Sequence, residues 1–368
     1  MTAESRLRTV PAKTELEVSL FGPGVGECVV VHLGCNDWMV IDSCLDPRSG
    51  NPAALDYLNL LEVEVREHVK AVVVTHWHRD HFKGVSALLR AASSAQFSCS
   101  NALQSKEFLQ FVFRSEENRS RFGTEIEEFA EVFRILRDRS PALHPSTVGP
   151  EWAIADRPVF TRAQTADCPS VQVDALSPSS ATVSAAITNL RAFITDDAPN
   201  RRPLATKPNR LAVALWVQLG GAGALLGADL EDSGQPNMGW NAIVSSNSGR
   251  YTGGELFKVA HHGSPTSHNP NVWQAMLKSN PYCILSPNLA SLLPADPDVR
   301  RLKEQTSNLF ATMAARGNRP RRRDSTVERI LAGYNLRSAA GTGQVRIRLG
   351  ASGSSSPQIE LFNGALRL

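Results

Sequence analysis

The stretch Val69-Lys-Ala-Val-Val-Val-Thr-His-Trp-His-Arg-Asp-His81 decides how this chain reads. Its first half, Val69 to Val74, is a continuous run rich in β-branched residues, the mark of a strand buried on both faces. Such strands lie inside a sheet covered by helices. Its second half gathers three of the nine histidines within a few positions, with Asp80 among them. His76 and His78 are two apart, so in an extended loop their side chains point the same way and can share one metal ion. Asp80 and His81 follow as the chain turns into a helix predicted over 82–92, placed to reach a second ion. A lone histidine would read as a surface or core residue, and Asp80 alone as a helix cap. A cluster at the end of an apolar strand is better explained by metal binding. Neutral imidazole and carboxylate suit zinc, and also manganese or iron.

Two later strand ends repeat the pattern. Leu225-Leu-Gly-Ala-Asp-Leu-Glu231 delivers Asp229 after Gly227, which permits a close approach of backbones. Phe257-Lys-Val-Ala-His-His-Gly-Ser264 ends in the pair His261-His262. Either element alone has an ordinary explanation, a loop aspartate or a hydrogen-bonded core histidine. Three strand ends together mark a site held by a rigid sheet.

Working outward, Leu16–Phe21 alternates apolar and polar residues, and a Gly-rich turn (Gly22-Pro-Gly-Val-Gly26) follows. Cys28–Leu33 and Trp38–Ile41 complete a β-meander, with Asp42 at its end. Leu55–Leu61 reads as a short helix. Ser105–Arg139 is helical in character, with charges alternating with Phe, Leu and Ile, and reads as an insertion within a single domain spanning 1–368. Strands resume at Val171–Leu176, and Leu211–Leu219 and Ala224–Leu226 flank a hairpin turn at Gly220-Gly221-Ala222-Gly223. Leu256–Ala260 and Tyr282–Leu285 read as strands, Val272–Leu277 and Val299–Met313 as helices, and Gly343–Leu349 with Gln358–Phe362 as a closing hairpin. The interleaving places the chain in the α/β or α+β class.

Composition narrows the function. The 368 residues are 42% hydrophobic and 20% charged, as in a globular protein, and the net charge of +3 does not indicate a strongly basic nucleic-acid binder. The first residues lack the apolar core of a secretory signal, and no window approaches the roughly 18 apolar residues of a membrane span. A soluble cytoplasmic protein without membrane contact is expected. The six cysteines (Cys28, Cys35, Cys44, Cys99, Cys168 and Cys283) form no Cys-x-x-Cys pair and read as small buried residues rather than a disulfide framework.

The order His-x-His-x-Asp-His, Gly-x-Asp-Leu-Glu, Ala-His-His-Gly-Ser resembles the metallo-β-lactamase fold superfamily, and within it the ComEC-type hydrolase domain. Phosphorylcholine esterases with the same His-His-Gly-Ser element are similar. Gly24-Val25-Gly26-Glu27 and Ile41-Asp42-Ser43 match the family's first strands. The resemblance implies an α/β fold, an αββα four-layer sandwich here carrying the helical insertion, with the site at strand ends between two facing sheets. It implies two divalent metal ions, zinc first and manganese second. His76 and His78 would bind one ion; Asp80, His81 and His262 the other; Asp229 would bridge them. His261 would face the substrate, Glu231 and Ser264 would line the pocket, and Asp42 would support the ligand loop. The family's further histidine for the first ion has one counterpart here, His144 in an irregular stretch. The family's Thr-Gly-Asp is displaced by one residue to Gly227-Ala228-Asp229, and its later His-Pro is Leu293-Pro294.

The chemistry such a site supports is metal-assisted hydrolysis by an activated water, with Asp80 handling its proton and His261 stabilising the transition state or protonating the leaving group. The motifs point to a phosphodiester substrate, nucleic acid included. Arg316, Arg319, Arg321, Arg322 and Arg323 are candidate phosphate contacts, though such a run also suits a solvated loop. Hydrolysis of a thioester, lactone or β-lactam is the competing enzyme reading. A regulatory module that works with a protein partner through the helical insertion is the competing non-enzyme reading.

Overall fold

A computed structural model of the chain describes residues 3–104, 124–139, 150–195, 208–314, 341–353 and 356–368. Its strands, in chain order, are β1 (Glu15–Gly22), β2 (Cys28–Leu33), β3 (Trp38–Ile41), β4 (Val69–Val74), β5 (Gln96–Ser100), β6 (Glu151–Ala153), β7 (Arg157–Arg162) and β8 (Val171–Ala175). Then come β9 (Leu215–Leu219), β10 (Ala222–Leu226), β11 (Gly254–Lys258), β12 (Leu277–Leu285), β13 (Leu309–Ala311), β14 (Gly343–Gly350), β15 (Gln358–Phe362) and β16 (Leu366–Arg367). They form two sheets, ordered β15-β14-β1-β2-β3-β4-β5-β6 and β16-β13-β12-β11-β10-β9-β8-β7.

Each sheet joins an antiparallel part to a parallel part. In the first, β1, β2 and β3 form the meander and β3 to β6 run parallel. In the second, β7 to β10 are antiparallel and β10 to β13 run parallel. Parallel neighbours end on the same side, so the turns after β3, β4, β10 and β11 are brought together. Outside the carboxyl ends of such strands is where open α/β sheets build their sites.

The period of two in each strand divides the apolar residues between layers. Val18, Leu20, Ile41, Ala71 and Val73 face Val173, Leu215, Val217 and Leu226 across the space between the sheets. Val72 and Val74 turn outward to Leu58, Leu88, Leu89 and Phe129 on covering helices. The outer face of the second sheet, with Trp216, Leu225 and Phe257, is covered by Trp240, Ile243 and Leu302. The layers are therefore αββα, as the resemblance implies, and β4 is buried on both faces as its composition predicts.

Several expectations need correction. The helix expected over 82–92 is two, Arg79–Phe82 and Val85–Ala91, because Gly84 between them takes a left-handed φ of 91°. The helix expected over 299–313 spans Asp296–Gln305, and Leu309–Ala311 is β13, an apolar run too short to tell from helix by periodicity. Leu211 belongs to a short 3-10 turn, Pro208–Leu211, not to the strand that follows. Of the insertion, Thr124–Asp138 is helical and packs on the helices Arg79–Phe82 and Val85–Ala91, with Phe129 stacked on Phe82 and Val132 and Leu136 buried in the same core; 105–123 lies outside the described residues. Cys35 and Cys168 are joined by a disulfide, while Cys28, Cys44, Cys99 and Cys283 are free and buried. The bridge links residues 133 apart in sequence, a pairing that no spacing rule exposes. It ties the β2–β3 turn to the loop between β7 and β8, one on each sheet. The strands β5, β6 and β7 and the helix Ser180–Thr195 were not anticipated. No helix among the described residues is long and apolar enough to cross a membrane.

Candidate metal centre

Asp42, just past β3, is the hub of the first half of the site. Its Oδ1 accepts the Thr75 amide at 2.7 Å, and its Oδ2 accepts both the Thr75 hydroxyl at 2.7 Å and His81 Nδ1–H at 2.8 Å. The Thr75 oxygen, its proton committed to Asp42, accepts from His76 Nδ1–H at 2.9 Å. Both imidazoles are thereby held in the tautomer that leaves Nε2 free to ligate. Both Nε2 atoms are buried and have no hydrogen-bond partner. His78 stands beside them, its ring centre 5.1 Å from that of His76, and is partly exposed.

The second half is built from two turns of the other sheet. A Cβ on Gly227 would stand 2.9 Å from Ala260 Cβ and 3.0 Å from Lys258 O, so only glycine lets the two turns pack. Ala228 then takes a φ of 45°, and His261 and His262 take 46° and 54°. These left-handed conformations turn Asp229 and His262 inward. His262 Nδ1–H donates to Ser286 O at 2.7 Å, which again leaves Nε2 facing the cluster. That nitrogen lies 3.4 Å from Asp229 Oδ2 and 3.6 Å from Asp80 Oδ2. His81 Nε2 lies 3.2 Å from Asp229 Oδ2 without hydrogen-bond geometry, and Asp229 Oδ1 has no hydrogen-bond partner, with Lys258 Nζ 3.9 Å away.

The donor atoms fall into three groups within 4.8 Å of one another: His76, His78 and Asp229; Asp80, His81, Asp229 and His262; and Asp42, His76 and His81, whose Asp42 oxygens already accept the hydrogen bonds described above. Asp229 is common to the first two. Buried, unpartnered nitrogen and carboxylate donors converging from both sheets fit a pair of divalent ions, because leaving them unpaired would cost on the order of 1–3 kcal/mol each. Electrostatics divide the histidines. Burial and the neighbouring His81 push His76 well below the usual histidine range, so it is neutral. Burial alone would lower His81 as well, but Asp229, Asp42 and Asp80 outweigh it and raise that histidine well above the usual range. His262 is raised against burial by Asp229 and Asp80. Against its own burial Asp80 is held below the usual carboxylate range by His81 and His262.

The remaining candidates sit around this cluster. His261 points sideways: Asn209 Nδ2 contacts its Nε2 at 3.0 Å, and its Nδ1 lies 3.4 Å from Glu231 Oε1. Burial lowers its pKa. Ser264 is turned away into the following turn, where its hydroxyl accepts the Thr266 amide at 3.3 Å. His144 and Arg316, Arg319, Arg321, Arg322 and Arg323 lie outside the described residues. Sequence reasoning gave no role to Glu27, Lys258, Asn288 or Asn209. Lys258 and Glu27 form a buried ion pair between the sheets, and Lys258 Nζ also donates to Ala228 O at 2.8 Å. The Glu27 amide donates to Asp80 O at 2.9 Å, across a Gly26 whose Cβ would stand 2.7 Å from that oxygen. Asn288 Nδ2 donates to Asp80 Oδ2 at 2.9 Å. One signal was available: a lysine inside the apolar run Leu256–Ala260 is anomalous unless paired.

Residues 21–150 match the family model of the Metallo-beta-lactamase superfamily, a span that includes the ligand turn 76–81 and ends before Asp229. Among solved structures the chain is similar to the metallo-beta-lactamase fold protein YhfI from Bacillus subtilis, at 12% identity and a TM-score of 0.40, over 82% of this chain and 97% of that one. It is similar to the Rm3 metallo-beta-lactamase at 14% identity and a TM-score of 0.34, over 72% and 84%. It is also similar to Zn(2+)-bound PqqB from Methylobacterium extorquens at 9% identity and a TM-score of 0.31, over 77% and 84%. No curated protein matches. Residues 21–150 thus match the superfamily's model, and the two layered sheets carry a candidate His/Asp metal cluster.

Proposed function

We propose that this protein is a binuclear metal-dependent phosphodiester hydrolase of the ComEC-like type. The observation that carries this reading is the sharing of Asp229 between two donor groups, the arrangement expected of a two-ion site. His76, His78 and Asp229 would hold one ion, and Asp80, His81, His262 and Asp229 the other, with zinc or manganese suited to the donors. When bound, a pair of divalent ions supplies Lewis-acid stabilisation of the charge that grows on a phosphoryl oxygen during in-line displacement. Asp80, ionised at neutral pH and oriented by Asn288, is placed to orient an attacking water and accept its proton. His261 is neutral, which suits a hydrogen bond to a phosphoryl oxygen better than action as a cationic acid. Asp42 holds His81 directly and His76 through Thr75, and Glu231 lies at the edge of the site. As for location, the Cys35–Cys168 bridge favours an oxidising compartment over the expected cytoplasm.

The test is elemental analysis together with hydrolysis of bis-(p-nitrophenyl) phosphate with added zinc or manganese, comparing wild type with His76→Ala and Asp80→Ala. About two ions per chain, with turnover lost in both variants, is the expected result. Bound metal without diesterase turnover would favour a thioester, lactone or β-lactam substrate, or an enzyme that needs a protein partner. Folded protein that takes up no metal would overturn the reading.

A further inference from the structure

Beside the candidate metal centre lies an open cleft of about 140 Å3. One wall is a single helix face, since Thr182, Ala185, Ala186 and Asn189 follow the i, i+3, i+4, i+7 spacing on Ser180–Thr195. Their small side chains leave the space open. Ala186 and Leu211 form an apolar pair separate from the three main cores. Two charged residues line the cleft, Arg210 and Glu231. Glu231 joins it to the reactive centre, because its Oε1 lies 3.4 Å from His261 Nδ1 and 3.3 Å from Asn209 Nδ2. Arg210 is the next residue after Asn209. Its Nε is buried without a hydrogen-bond partner, and its side chain makes no ion pair among the described residues.

We propose that this cleft binds the group flanking the scissile phosphodiester, and that it selects a flank with an apolar body and a second anion, as in a nucleotide with a terminal phosphate. The inference rests on the phosphodiesterase reading of the neighbouring site. An unpaired guanidinium presents donors in the planar fork that matches phosphate. Ala185, Ala186 and Leu211 form an apolar floor for a base or similar ring. Glu231 repels an anion at the inner end and accepts a hydrogen bond from a hydroxyl or amine there. The second anion is therefore directed to Arg210, away from the metals.

The test uses two probes, a thymidine dinucleotide and the same dinucleotide carrying a 5′ phosphate, with the metal-loaded full chain. The phosphorylated probe is expected to show a KM about tenfold lower, the worth of one charge-assisted contact. In Arg210→Gln the two KM values should converge. Ala186→Phe, which fills the cleft, should raise KM for both. Equal KM values in wild type, a preference that survives Arg210→Gln, or indifference to Ala186→Phe would each overturn the proposal. Turnover of neither probe would sink the phosphodiesterase reading instead. The dissociation constants of the two probes, by calorimetry on the same proteins, would then decide the cleft by the same criteria.

Discussion

The first sheet delivers His76, His78, Asp80 and His81 from a single turn after β4, whereas the second delivers Asp229 and His262 from two turns after two neighbouring parallel strands. The first half is contiguous in sequence, and two of its candidate ligands, His76 and His81, are oriented by a hydrogen-bonded support, Asp42 and Thr75. The second half is assembled by topology, and its turns rely on left-handed residues, a glycine without room for a Cβ, and a buried lysine. A contiguous motif needs few devices to hold it. A site made from separate turns needs its backbone bent and its turns fastened.

The largest test of this contrast is the residue on which both donor groups depend. Asp229→Asn should abolish binding of both ions and lower turnover of bis-(p-nitrophenyl) phosphate by about a thousandfold, while His78→Ala, at the exposed edge of one group, should cost less and spare the other ion. Elemental analysis of both variants checks this. Equal loss of metal in the two would show that the half-sites do not differ in this way.

Next comes the fastening. Lys258→Met would leave Glu27 buried beside Asp229 without its cation, and should destabilise the metal-free fold by about 3 kcal/mol. Pairing the change with Glu27→Gln should recover part of that loss, because the uncompensated charge is then gone. Urea unfolding of the single and double variants measures both. A cost below about 1 kcal/mol for the single change would mean that the ion pair does not fasten the halves.

This contrast also explains what was legible. The turn after β4 announces itself because ligand spacing and strand end coincide within one short window. Asp229 and His262 were found only because each follows an apolar strand, and choosing His262 over His261 required the resemblance. In the structure His262 is the one of the pair in the donor group, with its Nδ1–H held by Ser286 O. Glu27, Asn209 and Asn288 were invisible as partners because each meets its neighbour through tertiary packing, as Cys35 meets Cys168. Apolar periodicity gave the interleaving of strands and helices, and the resemblance gave the αββα layering, but β13 and the break at Gly84 were not readable, since short apolar runs and single glycines carry little local information.

A third test uses protons. In the metal-free protein, carboxylates hold His81 and His262 above the usual histidine pKa, while His76 is held below it. Raised values mean that the His81 and His262 pairings stabilise the metal-free fold fully below the unfolded histidine pKa and lose that effect as pH rises through the folded values. Metal binding runs the other way, since both histidines must first lose a proton. Affinity should therefore fall as pH is lowered, with about one to two protons released per chain on loading near neutrality. Calorimetry in buffers of different ionisation enthalpy reads this number. Zero release would remove the electrostatic picture of the cluster.

The smallest expected effect isolates the backbone. Ala228 is left-handed, with a φ of 45°, and buried, whereas Ala224 in the adjoining strand is buried without that conformation. Changing either to glycine removes a buried methyl, at a cost of about 0.8 kcal/mol, and adds freedom to the unfolded chain. Only at 228 does the change also release a conformation that costs an alanine about 1–2 kcal/mol. Ala228→Gly should therefore leave stability within about 1 kcal/mol of wild type, and Ala224→Gly should be the worse variant by about that strain. The difference between the two in thermal or urea unfolding reads the strain in the Asp229 turn directly. Equal costs would mean that the turn is relaxed, and that the second half-site owes its shape to Gly227 and Lys258 alone.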